Sequence, residues 1–158
     1  MRIIAISDTH KNYHILREIV QKHVREAGMF LFAGDGGREL DDVRLEFDTA
    51  AFYAVRGNCD FASREPITRI VTADDVSILL THGDRYGVKG GKAALLRAAQ
   101  ENNAQIAVFG HTHTAYCAYE QGIYLFNPGS PQSPRAGRPS YGIIEITSAG
   151  IIPFIVEL

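Results

Sequence analysis

Cysteine is scarce: Cys59 and Cys117 are the only two among 158 residues. A disulfide framework is therefore not expected, a four-thiolate zinc site is excluded, and a reducing, cytoplasmic setting is the default expectation. Basic runs and acidic tails are also missing, and the net charge is −2. Proteins of nucleic acid or anionic membranes usually carry a basic footprint, so neither is expected as the main partner. No long apolar run occurs either. Met1-Arg2 leads straight into Ile3-Ile4-Ala5-Ile6, too short for a signal-peptide core or a membrane span. The remainder is ordinary for a globular protein, 46% hydrophobic and 22% charged. That is enough chain for one domain, 1–158, with a real core.

The first half alternates strand-like and helix-like segments. Ile3–Ser7, Met29–Ala33 and Phe52–Val55 are short apolar runs that predict buried strands. Asn12 is placed to cap a helix reaching about Ala27, with Ile15, Leu16, Ile19, Val20 and Val24 on one face and Gly28 ending it. Leu40–Thr49 is polar and compatible with a second helix, and Lys92–Asn103 predicts another, striped by Ala94, Leu95 and Ala98. Ile67–Thr72 and Val76–Thr81 flank the turn-like Ala73-Asp74-Asp75, and Ile106–Phe109 predicts one more buried strand. Hairpins are expected at the end: Ala115–Glu120 with Ile123–Phe126, and Tyr141–Ile146 with Ile151–Val156. Between them, Asn127–Pro139 holds four of the six prolines and predicts a stiff loop.

Metal-ligand residue types gather in short clusters: Asp8-Thr9-His10, Gly34-Asp35, Gly57-Asn58-Cys59-Asp60, His82-Gly83 and Gly110-His111-Thr112-His113. Each cluster directly follows a predicted strand. Loops at the carboxyl ends of neighbouring strands converge on one edge of an α/β sheet, so these distant residues can share a pocket. Any one cluster alone is more simply a turn or a helix cap; their joint placement is what points to a site. Carboxylate, imidazole and amide oxygen together suit Mn, Fe, Co, Ni or Zn. With Asp35 as a bridge, Asp8, His10, Asn58, His82, His111 and His113 can hold two ions about 3.5–4 Å apart, the spacing of in-line phosphoryl displacement. Two carboxylates leave two divalent cations under-neutralised, which attracts phosphate and acidifies a bridging water. By contrast, His14 and His23 are expected as solvent-facing or packing residues, and Cys117 as a small buried apolar side chain. Thr9 and Thr112 are given no role beyond turn geometry.

With these residues in place, the chain resembles the calcineurin-like metallophosphoesterase superfamily, and most closely its small bacterial and archaeal phosphodiesterases. The resemblance runs from Asp8 to the final hairpin. It implies a four-layer α/β/β/α sandwich of two mixed β-sheets flanked by helices. It also implies one metal on Asp8, His10, Asp35 and His113, and a second on Asp35, Asn58, His82 and His111. Catalysis would rest on Asp35, Asn58 and His111, with a hydroxide bridging the two ions attacking phosphorus in line. Many relatives carry histidine where this chain has Cys59. A thiol of ordinary pKa, about 8.5, is a weak acid for a leaving group, which favours a small phosphodiester over a monoester as substrate. Arg135, in the proline-rich loop, is a candidate phosphate contact through its planar donors, and Arg85, Lys89 and Lys92 are further candidates. Two rival readings follow. One is a scaffold of the same fold, as in the retromer complex, whose subunit has a degraded metal site; the other is a nuclease or cyclic-nucleotide phosphodiesterase. A homodimer through sheet-edge hairpins is a further expectation.

Overall fold

The computed structural model describes residues 1–158. Its chain runs β1 (Arg2–Ile6), α1 (Tyr13–His23), β2 (Met29–Phe32), α2 (Gly37–Glu46), β3 (Phe52–Ala54), β4 (Thr68–Ala73) and β5 (Val76–Thr81). A short 3-10 turn over Asp84–Tyr86 leads to α3 (Ala93–Glu101), β6 (Ile106–Val108), β7 (Tyr116–Glu120), β8 (Ile123–Asn127), β9 (Ser140–Thr147) and β10 (Gly150–Glu157). Two five-stranded mixed sheets result, ordered β10-β9-β1-β2-β3 and β4-β5-β6-β8-β7. Within them β1, β2 and β3 are parallel, as are β5, β6 and β8, while β9 and β10 in the first sheet and β4 and β7 in the second pair antiparallel.

The apolar runs of the parallel strands are explained by burial on both faces. Ile3 and Ala5 point into a core shared by the two sheets, where they meet Ile78, Leu80, Ile106 and Val108. Their neighbours Ile4 and Ile6 point the other way and pack beneath Leu16, Ile19 and Val20 of α1 and Leu40 and Val43 of α2. The outer face of the second sheet is covered by α3 through Leu95, Leu96 and Ala99 against Leu79, Ala107 and Leu125. The order of layers is therefore α/β/β/α, as the resemblance implied.

Element boundaries moved where tertiary contacts intervene. The Asn12 side chain caps α1 by accepting from the Ile15 amide at 3.1 Å, as expected. The regular helix stops at His23, because Gly28 is already drawn to Arg2 of β1 by its amide (2.8 Å) and the chain must turn. The second helix begins at Gly37 rather than near Leu40. Its start is held by the Asp60 carboxylate, which accepts from the Gly36 and Gly37 amides at 3.0 and 2.9 Å. A cap donated from that far along the chain leaves no local signal.

One side chain corrects the expectations, and two histidines meet them. Cys117 is exposed, not buried, because β7 is an edge strand whose alternate residues face outward. His23 is a packing residue, 4% exposed, with its ring nitrogens 2.8 Å from Glu26 Oε1 and from Tyr141 Oη, whereas His14 is exposed.

Leu31 is fully buried in the core between the sheets, while Leu45 on α2 is 81% exposed. Leu31→Ala should lower unfolding free energy by about 2–5 kcal/mol in urea titrations. Leu45→Ala should stay within about 0.5 kcal/mol of the parent.

Candidate metal centre

The parallel strands of both sheets end on the same side of the molecule. There β1 delivers Asp8 and His10, β2 Asp35, β3 Asn58, β5 His82, and β6 His111 and His113. All of these side chains meet in one network. His113 Nε2 lies 3.0 Å from His10 Nε2 and 3.3 Å from Asp8 Oδ1. Asp35 Oδ2 lies 3.9 Å from His10 Nε2 and 3.5 Å from His82 Nε2. His82 Nε2 is in turn 3.1 Å from Asn58 Oδ1 and 3.2 Å from His111 Nδ1. The inward atoms thus form two groups that share Asp35 Oδ2.

The outward atom of each group is already committed. His82 Nδ1 faces the Ala33 carbonyl at 2.7 Å, and His113 Nδ1 faces the Ser133 carbonyl at 2.8 Å. A carbonyl only accepts, so both rings donate outward and turn a lone pair inward at Nε2 when neutral. Asp8 Oδ2 accepts from Ser7 Oγ (2.7 Å) and the His111 amide (3.0 Å), leaving Oδ1 buried without a partner. Asp35 Oδ1 accepts from the Cys59 amide at 2.8 Å, leaving Oδ2 inward. With the rings neutral, lone pairs therefore converge on lone pairs, an arrangement that divalent cations between them, or a proton on His82, relieve. The oxygen and nitrogen donor set, with no thiolate among the closest contacts, fits two divalent ions of intermediate softness.

Backbone strain marks the same loops. Asp8, His10, Asp35, His111 and His113 have φ of 57°, 42°, 58°, 67° and 55°, a left-handed region that non-glycine residues enter at a cost. Close approach explains two motif glycines. A Cβ on Gly57 would strike the Asp35 carboxylate and come within 2.5 Å of its amide, and one on Gly110 would strike Ser7 Oγ.

Electrostatics follows from this packing. Burial pushes Asp8 upward. Burial also works to raise Asp35, but hydrogen bonding and charge from His82, with the Cys59 amide, outweigh it and hold that carboxyl below its usual range. Burial and the neighbouring His82 push His111 down. Burial and the Asp35 hydrogen bond and charge push the Cys59 thiol up to about 11.

Several supporting residues escaped the sequence reading. Asp60 accepts from the Asp35, Gly36, Gly37 and Gly57 amides at 2.8, 3.0, 2.9 and 2.8 Å, tying two of the loops together. Thr9 donates to the buried Glu39 at 2.7 Å, so it does more than shape a turn. Ser130 donates to the Asp8 carbonyl at 2.7 Å, and Asn127 to the Gly110 carbonyl at 2.8 Å. Asn127, read from sequence as the first residue of the proline-rich loop, is instead the buried last residue of β8. Among the proposed substrate contacts, Arg135 donates its amide to the His113 carbonyl at 2.9 Å and is exposed. Lys92 is turned away, its Nζ 4.9 Å from the Tyr116 ring centre, and Lys89 is exposed. Arg85 lines a cavity beside Asn58.

A sandwich of two mixed sheets with an Asp/His/Asn cluster at its strand ends is the architecture of the metallophosphoesterases. The chain belongs to that class: the calcineurin-like phosphoesterase superfamily domain matches residues 1–149. It is 33% identical over 147 residues to the probable metallophosphoesterase YsnB of Bacillus subtilis, covering 92% of this chain and 85% of that one. It is 36% identical over 101 residues to the phosphodiesterase YfcE of Escherichia coli, covering 58% and 51%. Among solved structures, a predicted phosphoesterase from Streptococcus pneumoniae superposes with a TM-score of 0.82 at 24% identity, covering 98% of this chain and 97% of that one. Vps29 of Entamoeba histolytica, complexed with Zn2+, gives 0.75 at 21% identity, covering 99% and 98%. No helix is long and apolar enough to cross a membrane.

Two predictions arise from this geometry. Asp60→Asn places amide hydrogens against backbone N–H groups, and it should weaken divalent-metal affinity about 10–100-fold in chelator competition. The second concerns pH. Burial opposes charge on His82, but the Asp35 hydrogen bond and the charges of Asp8 and Asp35 raise its pKa above 6.5. Its proton therefore stabilises the metal-free fold fully below pH 6.5, and that contribution is lost as pH rises through the raised value. A metal ion needs the neutral ring, so affinity should fall about tenfold per pH unit below that value and level off above it. Calorimetric titration with Mn2+ across pH checks this.

Proposed function

We propose that this chain is a dinuclear metal-dependent phosphodiesterase acting on a small diester. The observation that carries the proposal is the inward convergence of lone pairs on two groups sharing Asp35 Oδ2, with Asp8 Oδ1 buried and unpartnered. Asp8, His10, Asp35 and His113 would hold one divalent ion; Asp35, Asn58, His82 and His111 would hold the other. Two such ions supply Lewis acidity toward the phosphoryl oxygens and a water acidic enough to ionise near neutral pH. The protein contributes the rest. Asp8 and Asp35 neutralise only part of the cationic charge, so the pocket favours an anionic phosphate. His82 and His113, fixed by the Ala33 and Ser133 carbonyls, stay in the tautomer that presents Nε2 to the site. Asn58, exposed on its loop, and His111, half-exposed, place their polar atoms where a phosphate oxygen can approach from solvent.

Cys59 supports the diester preference. With its pKa pushed up to about 11 by burial and by Asp35, the thiol stays protonated at neutral pH. It is neither an effective nucleophile nor an acid strong enough to protonate a poor leaving group. Diesters with stable leaving groups need no such acid. The similarity to YfcE, named a phosphodiesterase, favours the same substrate class. We take 1–158 as one phosphoesterase unit, in keeping with the family match over residues 1–149. The metals are drawn from Mn, Fe, Co, Ni and Zn on donor chemistry alone.

Chelator-stripped protein reloaded with each metal should hydrolyse bis-p-nitrophenyl phosphate faster than p-nitrophenyl phosphate. Asp35→Asn should lower turnover at least about a hundredfold, as loss of charge stabilisation does elsewhere. Cys59→His should raise the monoester-to-diester ratio. Metal uptake without hydrolysis of either compound would overturn the enzyme reading in favour of a metal-binding scaffold.

A further inference from the structure

Two cavities flank the loop that follows Asn58, and Phe61 lines both. Its ring is 91% exposed, the most exposed large apolar side chain in the protein. A single exposed phenylalanine signifies little by itself; what surrounds this one is selective. The smaller cavity, about 260 Å³, is bounded by Arg56, Asn58, Phe61, Ile67 and Arg85, with the carboxylates of Asp60 and Asp84 also in its wall. Arg56 is half-buried and forms no ion pair, and the one acidic group near Arg85 is Asp84, 3.8 Å from its Nε. The larger cavity, about 1,010 Å³, contains His10, Asp35 and Cys59 and is bordered by Asp41 and Asp42 of α2. Charge therefore differs across the loop. On the Arg56 side two arginines face two aspartates, but Asp60 is held by four backbone amides and Asp84 lies against Arg85, which leaves Arg56 unpaired. On the α2 side Glu39, Asp41 and Asp42 outnumber Lys11 and Arg38.

From this arrangement we infer that the smaller cavity is a subsite for one arm of the substrate, an aromatic ring carrying a further anionic group. It deepens the phosphodiesterase reading and rests on it. Asn58 belongs both to the cluster at the strand ends and to the cavity wall, so a phosphate at the cluster sends one ester arm into the cavity. The volume is below the roughly 300–1,000 Å³ of pockets that hold a whole ligand, and it suits one ring. Phe61 offers a face for that ring, Ile67 an apolar wall, and Arg56 and Arg85 offer planar donors to an anion at its edge. Asp41 and Asp42 disfavour the same arm in the other cavity. Phe61, Arg56 and Arg85 thus determine which diesters bind.

Binding of methyl phosphate, phenyl phosphate and 4-carboxyphenyl phosphate to the Mn2+-loaded protein tests this by calorimetry. Each presents one arm on the same phosphate. Phenyl phosphate should bind about tenfold tighter than methyl phosphate, the worth of one stacked ring. The carboxyl group should add roughly threefold to fivefold, the worth of an exposed ion pair. Phe61→Ala should collapse the first ratio toward one, and Arg56→Met or Arg85→Gln the second. The exposed Phe61 ring can be removed without loss of folding, which circular dichroism verifies. Equal affinity for all three compounds, or ratios that survive the substitutions, would overturn the subsite. The readout is independent of turnover. Selective binding without diester hydrolysis keeps the subsite and sinks the phosphodiesterase reading. Hydrolysis without selective binding does the reverse.

Discussion

At the carboxyl ends of the parallel strands, two hydrogen bonds cross from one sheet to the other. His82, at the end of β5, donates Nδ1–H to the Ala33 carbonyl at the end of β2. The His111 amide, beyond β6, donates to Asp8 Oδ2, beyond β1. Most other contact between the sheets is apolar, which tolerates sliding; these bonds, with the Ser130 hydroxyl on the Asp8 carbonyl, are directional and fix the register of one sheet on the other. They also determine which atoms remain for the centre. Once Nδ1 of His82 and Oδ2 of Asp8 are used, Nε2 and Oδ1 have nowhere to point but inward. The alignment of the sheets and the donor set of the site are thus one arrangement.

That arrangement works against the stability of the metal-free fold. Asp8 and His82 are fully buried, Asp35 nearly so, and their free atoms face one another as acceptors. Left-handed backbone at five of the cluster residues adds strain. The surroundings over-determine the geometry: Asp60 holds the Asp35 and Gly57 loops with one carboxylate, and Ser130 pins the Asp8 carbonyl from a remote loop. Cations at the centre would convert the acceptor clash into coordination, so metal binding and folding are coupled.

The proline-rich loop braces the site through its backbone and two serine hydroxyls. Its backbone supplies the Ser133 carbonyl to His113, its buried Ser130 braces Asp8, and its Arg135 amide holds the His113 carbonyl. The arginine expected to reach substrate contributes here through its main chain. Lys11 and Arg38 line the larger cavity together with His10 and Asp35, and Arg56 and Arg85 line the smaller one beside Asn58.

The strands were legible because buried parallel strands are continuous apolar runs, and the cluster was legible because each motif directly follows one. Ile3–Ile6, Met29–Ala33 and Ile106–Phe109 needed no partner to be recognised, and neither did Asn12 as a cap. The start of α2 was not legible, because Asp60 supplies its cap from another loop. The exposure of Cys117 depends on β7 being an edge strand, a property of sheet order rather than of local pattern. The sequence by itself determined which residue types stand at the strand ends, since hydrophobic periodicity and motif spacing are local. Only the tertiary structure decided which atom of each side chain faces inward, because that choice depends on carbonyls and amides donated by other strands.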